Sequence, residues 1–154
     1  MKTKYFLLTL LLISFTQSEL YAQSDKQKEI TMPIYKLFEG MEKNDSSMVR
    51  KVMTNDITFY TFGQNEIGDN VLKSGDVQQF LNTIGSPKEV VFRELISNVK
   101  VQSDGDFASV WCDYSFYLGD KFHHCGIDQF LLINTDSGWK IRQIVDTRRT
   151  EGCE

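Results

Sequence analysis

Four polar residues near the C-terminal end have the side chains that general acid–base chemistry uses: His124, Asp128, Asp146 and Arg148. A carboxylate beside an imidazole can orient the ring and hold it in the charged form, as proton transfer to a substrate requires. A nearby arginine offers a planar fork of donors for a carboxylate or phosphate. These residues therefore indicate a candidate catalytic cluster. The alternative is a solvated or dimer-buried sheet face with cross-strand ion pairs.

The elements that must position this cluster are three strands joined by two tight turns, predicted at 107–118, 121–133 and 139–148. In simple hairpin registers His124 lies opposite Arg148, and Asp146 lies opposite Gly126. Because glycine has no side chain, we expect open space above Gly126 in which the four polar side chains converge.

Alternation along these strands predicts which sheet face meets the helices. The face that includes Cys112, Tyr114 and Ile141 is mostly apolar and carries no full charge, whereas the opposite face holds the candidate catalytic cluster. The apolar face is therefore expected to pack inward, with the cluster on the outer face. A one-residue bulge would reverse part of this assignment and turn the cluster inward.

The upstream chain predicts helices followed by strands, an α+β arrangement with helices packed on one sheet face. An amphipathic helix is expected at about residues 26–43, with Pro33 near its first turn or at a kink. The other predicted elements are a short helix capped by Asp45 or Ser46, a strand at 56–62, a short return strand at 71–73, a helix capped by Asp76 and a strand at 89–102.

A cavity between helices and sheet is the second candidate site. Polar and aromatic groups expected to face it are Tyr60, Tyr114, His123, Gln129, Gln143 and Trp139. A mostly apolar cavity with a few hydrogen-bonding groups is typical of a small-ligand site, and the alternative is a filled core. The predicted inward face supplies no carboxylate. Glu94, on the 89–102 strand, is a candidate acid from elsewhere in the sheet.

The N-terminus predicts export. Lys2 and Lys4 precede an apolar run that is too short to span a bilayer, and a small residue, Ala22, precedes the expected cut. Residues 1–22 are therefore predicted to be a cleaved signal peptide, and residues 23–154 a single domain. We expect a periplasmic or secreted protein that is not associated with a membrane after cleavage.

Charge and residue spacing exclude several classes of function. The net charge of −4 comes without a basic face, so no nucleic-acid partner is expected. His123 and His124 are neighbours in a strand and point to opposite faces, so they cannot jointly hold one metal ion. No metal or cofactor is predicted.

Three cysteines, Cys112, Cys125 and Cys153, allow one disulfide in an exported protein and leave one thiol. The residues alone leave all three pairings open, together with a bond through Cys153 between two chains. Cys112 lies on the predicted buried face without a setting that would lower its pKa, so a nucleophilic thiol is not expected there.

Several motifs carry a family resemblance that covers residues 28–150. They are Phe38-Glu39-Gly40-Met41, His124-Cys125-Gly126, Gly138-Trp139-Lys140-Ile141, Phe116 to Phe122, and Asp146-Thr147-Arg148-Arg149 with Gly152-Cys153. They resemble the nuclear transport factor 2-like (SnoaL-like) superfamily, and within it the small exported bacterial proteins labelled putative lumazine-binding. The resemblance implies a cone-shaped, cystatin-like α+β fold, in which N-terminal helices close a pocket on a curved, mostly antiparallel sheet.

The superfamily includes isomerases, dehydratases, polyketide cyclases and non-catalytic binders, so the fold does not choose the function. The leading hypothesis is an exported protein that binds a small apolar or aromatic molecule. One alternative is an isomerase, dehydratase or hydrolase that uses His124 with Asp146 or Asp128; another is a dimeric interaction module. The resemblance also implies a Cys125–Cys153 disulfide and a homodimer through the outer sheet face, where Trp111, Tyr117, Phe122 and Phe130 are predicted to lie.

Overall fold

A computed structural model describes the backbone of residues 3–153 and the side chains of residues 23–153. The helices are α1 (Thr3–Glu42), α2 (Ser46–Lys51) and α3 (Val77–Gly85). The strands are β1 (Met53–Gln64), β2 (Asn70–Gly75), β3 (Phe92–Asp104), β4 (Phe107–Leu118), β5 (Lys121–Thr135) and β6 (Gly138–Thr147). The predicted order of helices and strands is confirmed, with ends that differ by a few residues except at the start of α1.

Among the described residues one sheet forms, in the order β2-β1-β6-β5-β4-β3. β1 and β6 pair in parallel, and the other neighbours are antiparallel. Helix α1 packs against β3 and β6, and α3 contacts β1. The predicted α+β architecture, with helices on one face of a mostly antiparallel sheet, is therefore confirmed.

Helix α1 is longer than predicted, and Pro33 lies inside it rather than in its first turn. Proline has no amide hydrogen, so the carbonyl of Glu29 receives no helical bond from position 33. Part of the predicted signal peptide forms the start of α1, but the side chains of residues 1–22 lie outside the described residues and cleavage stays a prediction. Within the described part of the chain, no helix is both long and apolar enough to cross a membrane.

The two short helices begin where the sequence predicts. The Asp45 carboxylate accepts a bond from the Met48 amide at 2.9 Å, and the Asp76 carboxylate accepts one from the Gln79 amide at 2.8 Å. Each bond satisfies an amide that the helix itself leaves unpaired. Asp76 thereby fixes the start of α3 beside the cavity described below.

The core lies between α1 and the middle of the sheet. Ile30, Ile34 and Leu37 from α1 are buried against Leu132 and Ile141. Phe130 on β5 is fully buried, and its ring meets Phe38 edge-on with 6.1 Å between centroids. The sequence-based placement of Phe130 on the outer face was therefore wrong.

Two β-bulges explain that error. In β5, Tyr117 pairs with Phe122 but Phe116 pairs with His124, so His123 is an extra residue. Beyond it the side-chain alternation reverses, and Gly126, Asp128, Phe130 and Leu132 face the helices. The simple hairpin register was wrong by one residue along most of β5.

A second bulge, in β6, keeps the inward-facing residues of β6 beside the inward-facing residues of β5. Leu132 pairs with Ile141 and Leu131 with Gln143, which leaves Arg142 as the extra residue. Ile141 faces inward before the bulge, and Ile144 and Asp146 face inward after it. Most of the predicted polar cluster therefore lies on the helix side of the sheet.

Candidate functional site

A cavity of about 220 Å³ lies between α1, α3 and the sheet. Its apolar wall comes from both layers: Leu37, Phe38, Met41, Phe59, Phe80, Phe130 and Ile144. Phe59 and Phe80 meet edge-on at 5.1 Å between centroids. Thr61, Glu94, Asp128, Asp146 and Arg148 supply polar groups. This combination can bind a mostly apolar molecule and fix its orientation.

Asp128 and Glu94 form a buried carboxyl pair on β5 and β3. Asp128 is 4% exposed, and its Oδ2 has no hydrogen-bond partner among the described residues. Burial is the main cause that raises the pKa of Asp128 to about 7. The hydrogen bond with Glu94 lowers this pKa, and the charge of Asp146 raises it. Glu94 keeps some exposure as a whole residue, yet loss of hydration and the neighbouring Asp128 raise the pKa of its carboxyl well above the usual range. The hydrogen bond between them raises the pKa of Glu94 and lowers that of Asp128, so it favours a neutral Glu94 beside an ionised Asp128.

Asp146 organises a second set of polar contacts. Its Oδ1 accepts a bond from the Thr61 hydroxyl at 2.5 Å, and its Oδ2 accepts one from Arg148 Nε at 2.6 Å. The Asp146 side chain is 14% exposed, whereas that of Arg148 is 58% exposed. The pair thus runs from the cavity towards solvent. Arg148 bonds Asp146 through Nε, and the predicted role of Arg148 in holding a substrate anion stays a prediction.

The space predicted above Gly126 is filled. A Cβ added at Gly126 would lie 1.8 Å from the Thr147 carbonyl oxygen and 2.7 Å from Tyr114 Cε1. Tyr114 is buried on the inner face, and its hydroxyl donates to the Thr147 carbonyl oxygen at 2.8 Å. Tyr114 therefore closes the sheet beside the end of β6 and does not line the cavity.

His124 does not pair with a carboxylate. Its Nδ1 lies 2.7 Å from His123 Nδ1, and its ring packs against Tyr114 and Phe116. No hydrogen bond among the described side chains joins His124 to Asp128 or Asp146. Burial and the positive charge of Arg148 lower the pKa of His124, which favours a neutral ring. The predicted catalytic cluster therefore divides: Asp128, Asp146 and Arg148 line the cavity, and His124 lies beside it.

The predicted pocket residues also separate. Tyr60 lines the cavity. His123 is exposed at the bulge of β5, while Gln129 donates to Ser109 Oγ and Gln143 donates to Thr58 Oγ1 on the outer face. Trp139 packs at the edge of the core and borders a surface groove along α1 and α2. The bulges move Gln129 and Gln143 outward for the same reason that they bring Asp128 and Asp146 inward.

Thr61 is one of the cavity residues that sequence reasoning missed. It shares a face of β1 with Phe59, and alternation along the strand could have placed both against α3. Its partner Asp146 lies on β6, which pairs in parallel with β1. Nothing in the local sequence signals that pairing, so the contact across the sheet could not be found.

The structure joins Cys125 to Cys153 and leaves Cys112 as a buried free thiol. This is the pairing that the family resemblance implied. Cys125 and Arg149 also exchange two backbone hydrogen bonds of 2.9 Å. The C-terminal tail is therefore held against β5 next to Arg148. Burial raises the pKa of the Cys112 thiol, so it stays protonated.

The described residues contain no group of three or more His, Cys, Asp or Glu side chains arranged to hold a metal ion. The cavity offers the chemistry of its own carboxyls: Glu94, where burial favours the neutral form, Asp128, with a pKa of about 7, and Asp146, which is hydrogen-bonded to Arg148.

Comparison with known proteins gives the family. The family model described as "Putative lumazine-binding" matches residues 25–144, which include both strands of the carboxyl pair. The chain belongs to this family. Solved structures that are described as nuclear transport factor 2-like, one of them with a cystatin-like fold, share the fold of this chain. A search of curated proteins found no match to the chain.

Three similar structures illustrate the shared fold. A protein of unknown function from Mycobacterium tuberculosis aligns with a TM-score of 0.68 and 17% identity, over 86% of this chain and 77% of that one. A putative scytalone dehydratase from Novosphingobium aromaticivorans aligns at 0.66 and 12% identity, over 83% and 87% of the two chains. A putative dehydratase from the nuclear transport factor 2-like family of Streptomyces avermitilis aligns with a TM-score of 0.65 and 16% identity, over 83% of this chain and 99% of that one.

Proposed function

We propose that this protein binds a small, largely apolar molecule of one or two rings in the cavity between α1, α3 and the sheet. The observation that carries the proposal is the cavity itself, with aromatic and aliphatic walls and carboxyl groups on one side. An engineered apolar cavity of about 150 Å³ holds benzene. A volume of about 220 Å³ therefore suits a single or fused ring system better than a larger cofactor.

The family description supports a small organic ligand, and the predicted signal peptide over residues 1–22 makes export to the periplasm or outside the cell part of the proposal. Export is tested by N-terminal sequencing of the protein recovered from its native host. A mature chain that begins at Gln23 would support the predicted cleavage, and an intact Met1 would contradict it.

Binding is tested by ligand-observed NMR with a panel of one- and two-ring compounds. Ile144 lines the cavity, so Ile144→Trp should fill it and abolish binding. Val145 is the next residue of the same strand and faces away from the cavity, so Val145→Trp is a matched control that should keep binding. The proposed function is wrong if no compound binds the wild type. It is also wrong if every compound that binds the wild type binds Ile144→Trp as well.

Acid–base catalysis is the second candidate, and the buried carboxyl pair favours it. A carboxyl with a pKa of about 7 beside a protonated one can accept and return a proton at neutral pH. Relatives in the fold are named as dehydratases, which eliminate water through proton transfer. The acid–base pair proposed for this chain is Asp128 with Glu94, in place of the predicted pair of His124 with an aspartate.

Catalysis is tested with a small cyclic ketone, cyclohex-2-enone, in deuterated buffer at pH 7.5. The wild type should accelerate deuterium exchange at the carbon next to the carbonyl, and Asp128→Asn should lose at least tenfold of that rate. His124→Gln is the matched control and should retain it. Equal exchange with and without wild-type protein would contradict a catalytic role towards this substrate class.

A further inference from the structure

We propose that the ligand of this cavity carries an N–H or O–H group that donates a hydrogen bond to the Asp128 carboxyl. The inference rests on the proposed binding function and adds the chemical class of the ligand. It identifies Asp128 as the residue that selects a donor-bearing ring compound over an apolar ring of the same shape.

The first support is an unfilled acceptor in a buried place. Asp128 is 4% exposed and lines the cavity, and its Oδ2 has no hydrogen-bond partner among residues 23–153. A carboxylate can accept about four hydrogen bonds. The bond from Glu94 therefore leaves acceptor capacity on a side chain that lines the cavity. Buried polar groups in native proteins are almost always paired, so this acceptor indicates a partner that the chain itself does not supply.

The second support is that the neighbouring polar groups are engaged elsewhere. Both oxygens of Asp146 already accept bonds, from Thr61 and Arg148. The Tyr114 hydroxyl donates to the Thr147 carbonyl. These groups cannot turn towards Asp128 without breaking short hydrogen bonds. A donor group on the ligand therefore does not compete with these side chains for the Asp128 carboxyl.

Water strengthens the selection. A water molecule in the free cavity can donate to Asp128, and any ring that enters displaces it. A ring with a donor replaces the lost bond, whereas a ring without one leaves a buried carboxyl unpaired. Selectivity of this kind is stronger than discrimination by shape, because a site built for a donor rejects the analogue that lacks it.

The test compares rings that differ only in the donor. Indole is matched with benzothiophene, and phenol with fluorobenzene, and their dissociation constants for the full mature protein are measured at pH 8 by calorimetry or NMR. The donor-bearing member of each pair is expected to bind at least tenfold more tightly. Asp136→Asn, in the exposed turn between β5 and β6, is the control and should retain the preference.

Asp128→Leu keeps the branching of the side chain at Cγ and has no acceptor, so both members of a pair should bind it equally. Should the leucine variant fail to fold, Asp128→Asn keeps the shape of the side chain, and the preference should fall at least threefold. Benzothiophene binding as tightly as indole to the wild type would overturn the inference and leave the proposed binding function standing. If none of the four compounds and no member of the wider panel binds, the proposed function fails and the inference falls with it.

Discussion

Asp128 and Glu94 lie among apolar side chains because β3 and β5 both turn acidic residues towards the helices. Loss of hydration favours the neutral form of each carboxyl and dominates the rise in both pKa values. The charge of Asp146 adds to the rise, and that of Arg148 opposes it. Placing an acid here therefore weakens the folded state at neutral pH, which is the usual signature of a residue retained for a function.

The titration of Asp128 should lower stability as pH rises. Its pKa is 3.8 when unfolded and about 7 when folded, so between these values the folded protein binds the extra proton. The free energy of unfolding should fall across this window by roughly 2–4 kcal/mol and then level off. The groups that face Asp128 are Glu94 on β3, Cys112 on β4, and Asp146 and Arg148 on β6. Urea denaturation at a series of pH values measures the effect.

Asp128→Asn isolates the carboxyl pair, because its difference from the wild type cancels the titrating groups that do not interact with Asp128. The variant should gain stability relative to the wild type as pH rises from 4 to 7. Asp136→Asn, in the exposed turn between β5 and β6, is the matched control and should show a constant difference. A pH-independent difference for Asp128→Asn would contradict the buried titration.

At the scale of elements, the sequence predicts the strands and caps but not the strand registers. Asp45 and Asp76 mark helix starts through local bonds that sequence pattern can reveal. The bulge at His123 depends instead on which face of β5 packs better. Phe130 and Leu132 would suit one register, whereas Leu131 and Ile133 would suit the other. Both faces of the strand are apolar there, so alternation cannot choose, and the error placed the carboxyl cluster on the wrong side.

Gly126 is the element-scale position least able to accept a side chain. Gly126→Ala would press its Cβ into the Thr147 carbonyl, which is backbone and cannot rotate away. We expect at least about 3 kcal/mol of destabilisation, since β5 and β6 must separate or Tyr114 must move. Gly63→Ala on β1 is the control, because its nearest neighbour is the flexible end of Lys73 at 4.0 Å. Thermal and urea unfolding of both variants measure the difference, and equal stability would contradict the close approach.

The disulfide constrains the end of β6 that carries Arg148. Cys125 and Cys153 are 28 residues apart, and a loop of this length corresponds to about 3–4 kcal/mol of stability on the chain-entropy account. Cys153→Ser should lose that amount in urea unfolding. Reduction should lower the wild type to the same level and leave Cys153→Ser unchanged. A wild type that is unaffected by complete reduction would contradict a stabilising bridge.

At the scale of the whole molecule, the cavity depends on contacts that are distant in sequence. Its walls come from α1, α3 and strands at both ends of the chain, and the parallel pairing of β1 with β6 brings Thr61 to Asp146. The family resemblance supplied the cone-shaped fold and a pocket between helices and sheet. It could not supply the lining, because the wall residues of the sheet are set by bulges and long-range pairings that the local sequence does not reveal.

The outer sheet face is the surface on which we propose that two copies associate. Trp111 is 50% exposed there, and Leu95 and Phe107 are exposed to similar extents, although single exposed apolar residues are common on monomers. An aromatic anchor such as Trp111 is the kind of residue that carries most of an interface energy.

Trp111→Glu should therefore convert a dimer into a monomer in sedimentation equilibrium, and should keep ring binding because the cavity lies on the other face. Ile67→Glu, at an 83% exposed turn position, is the control and should remain dimeric. A wild type that stays monomeric at 100 µM would refute the dimer and would leave the binding function as a property of the single chain.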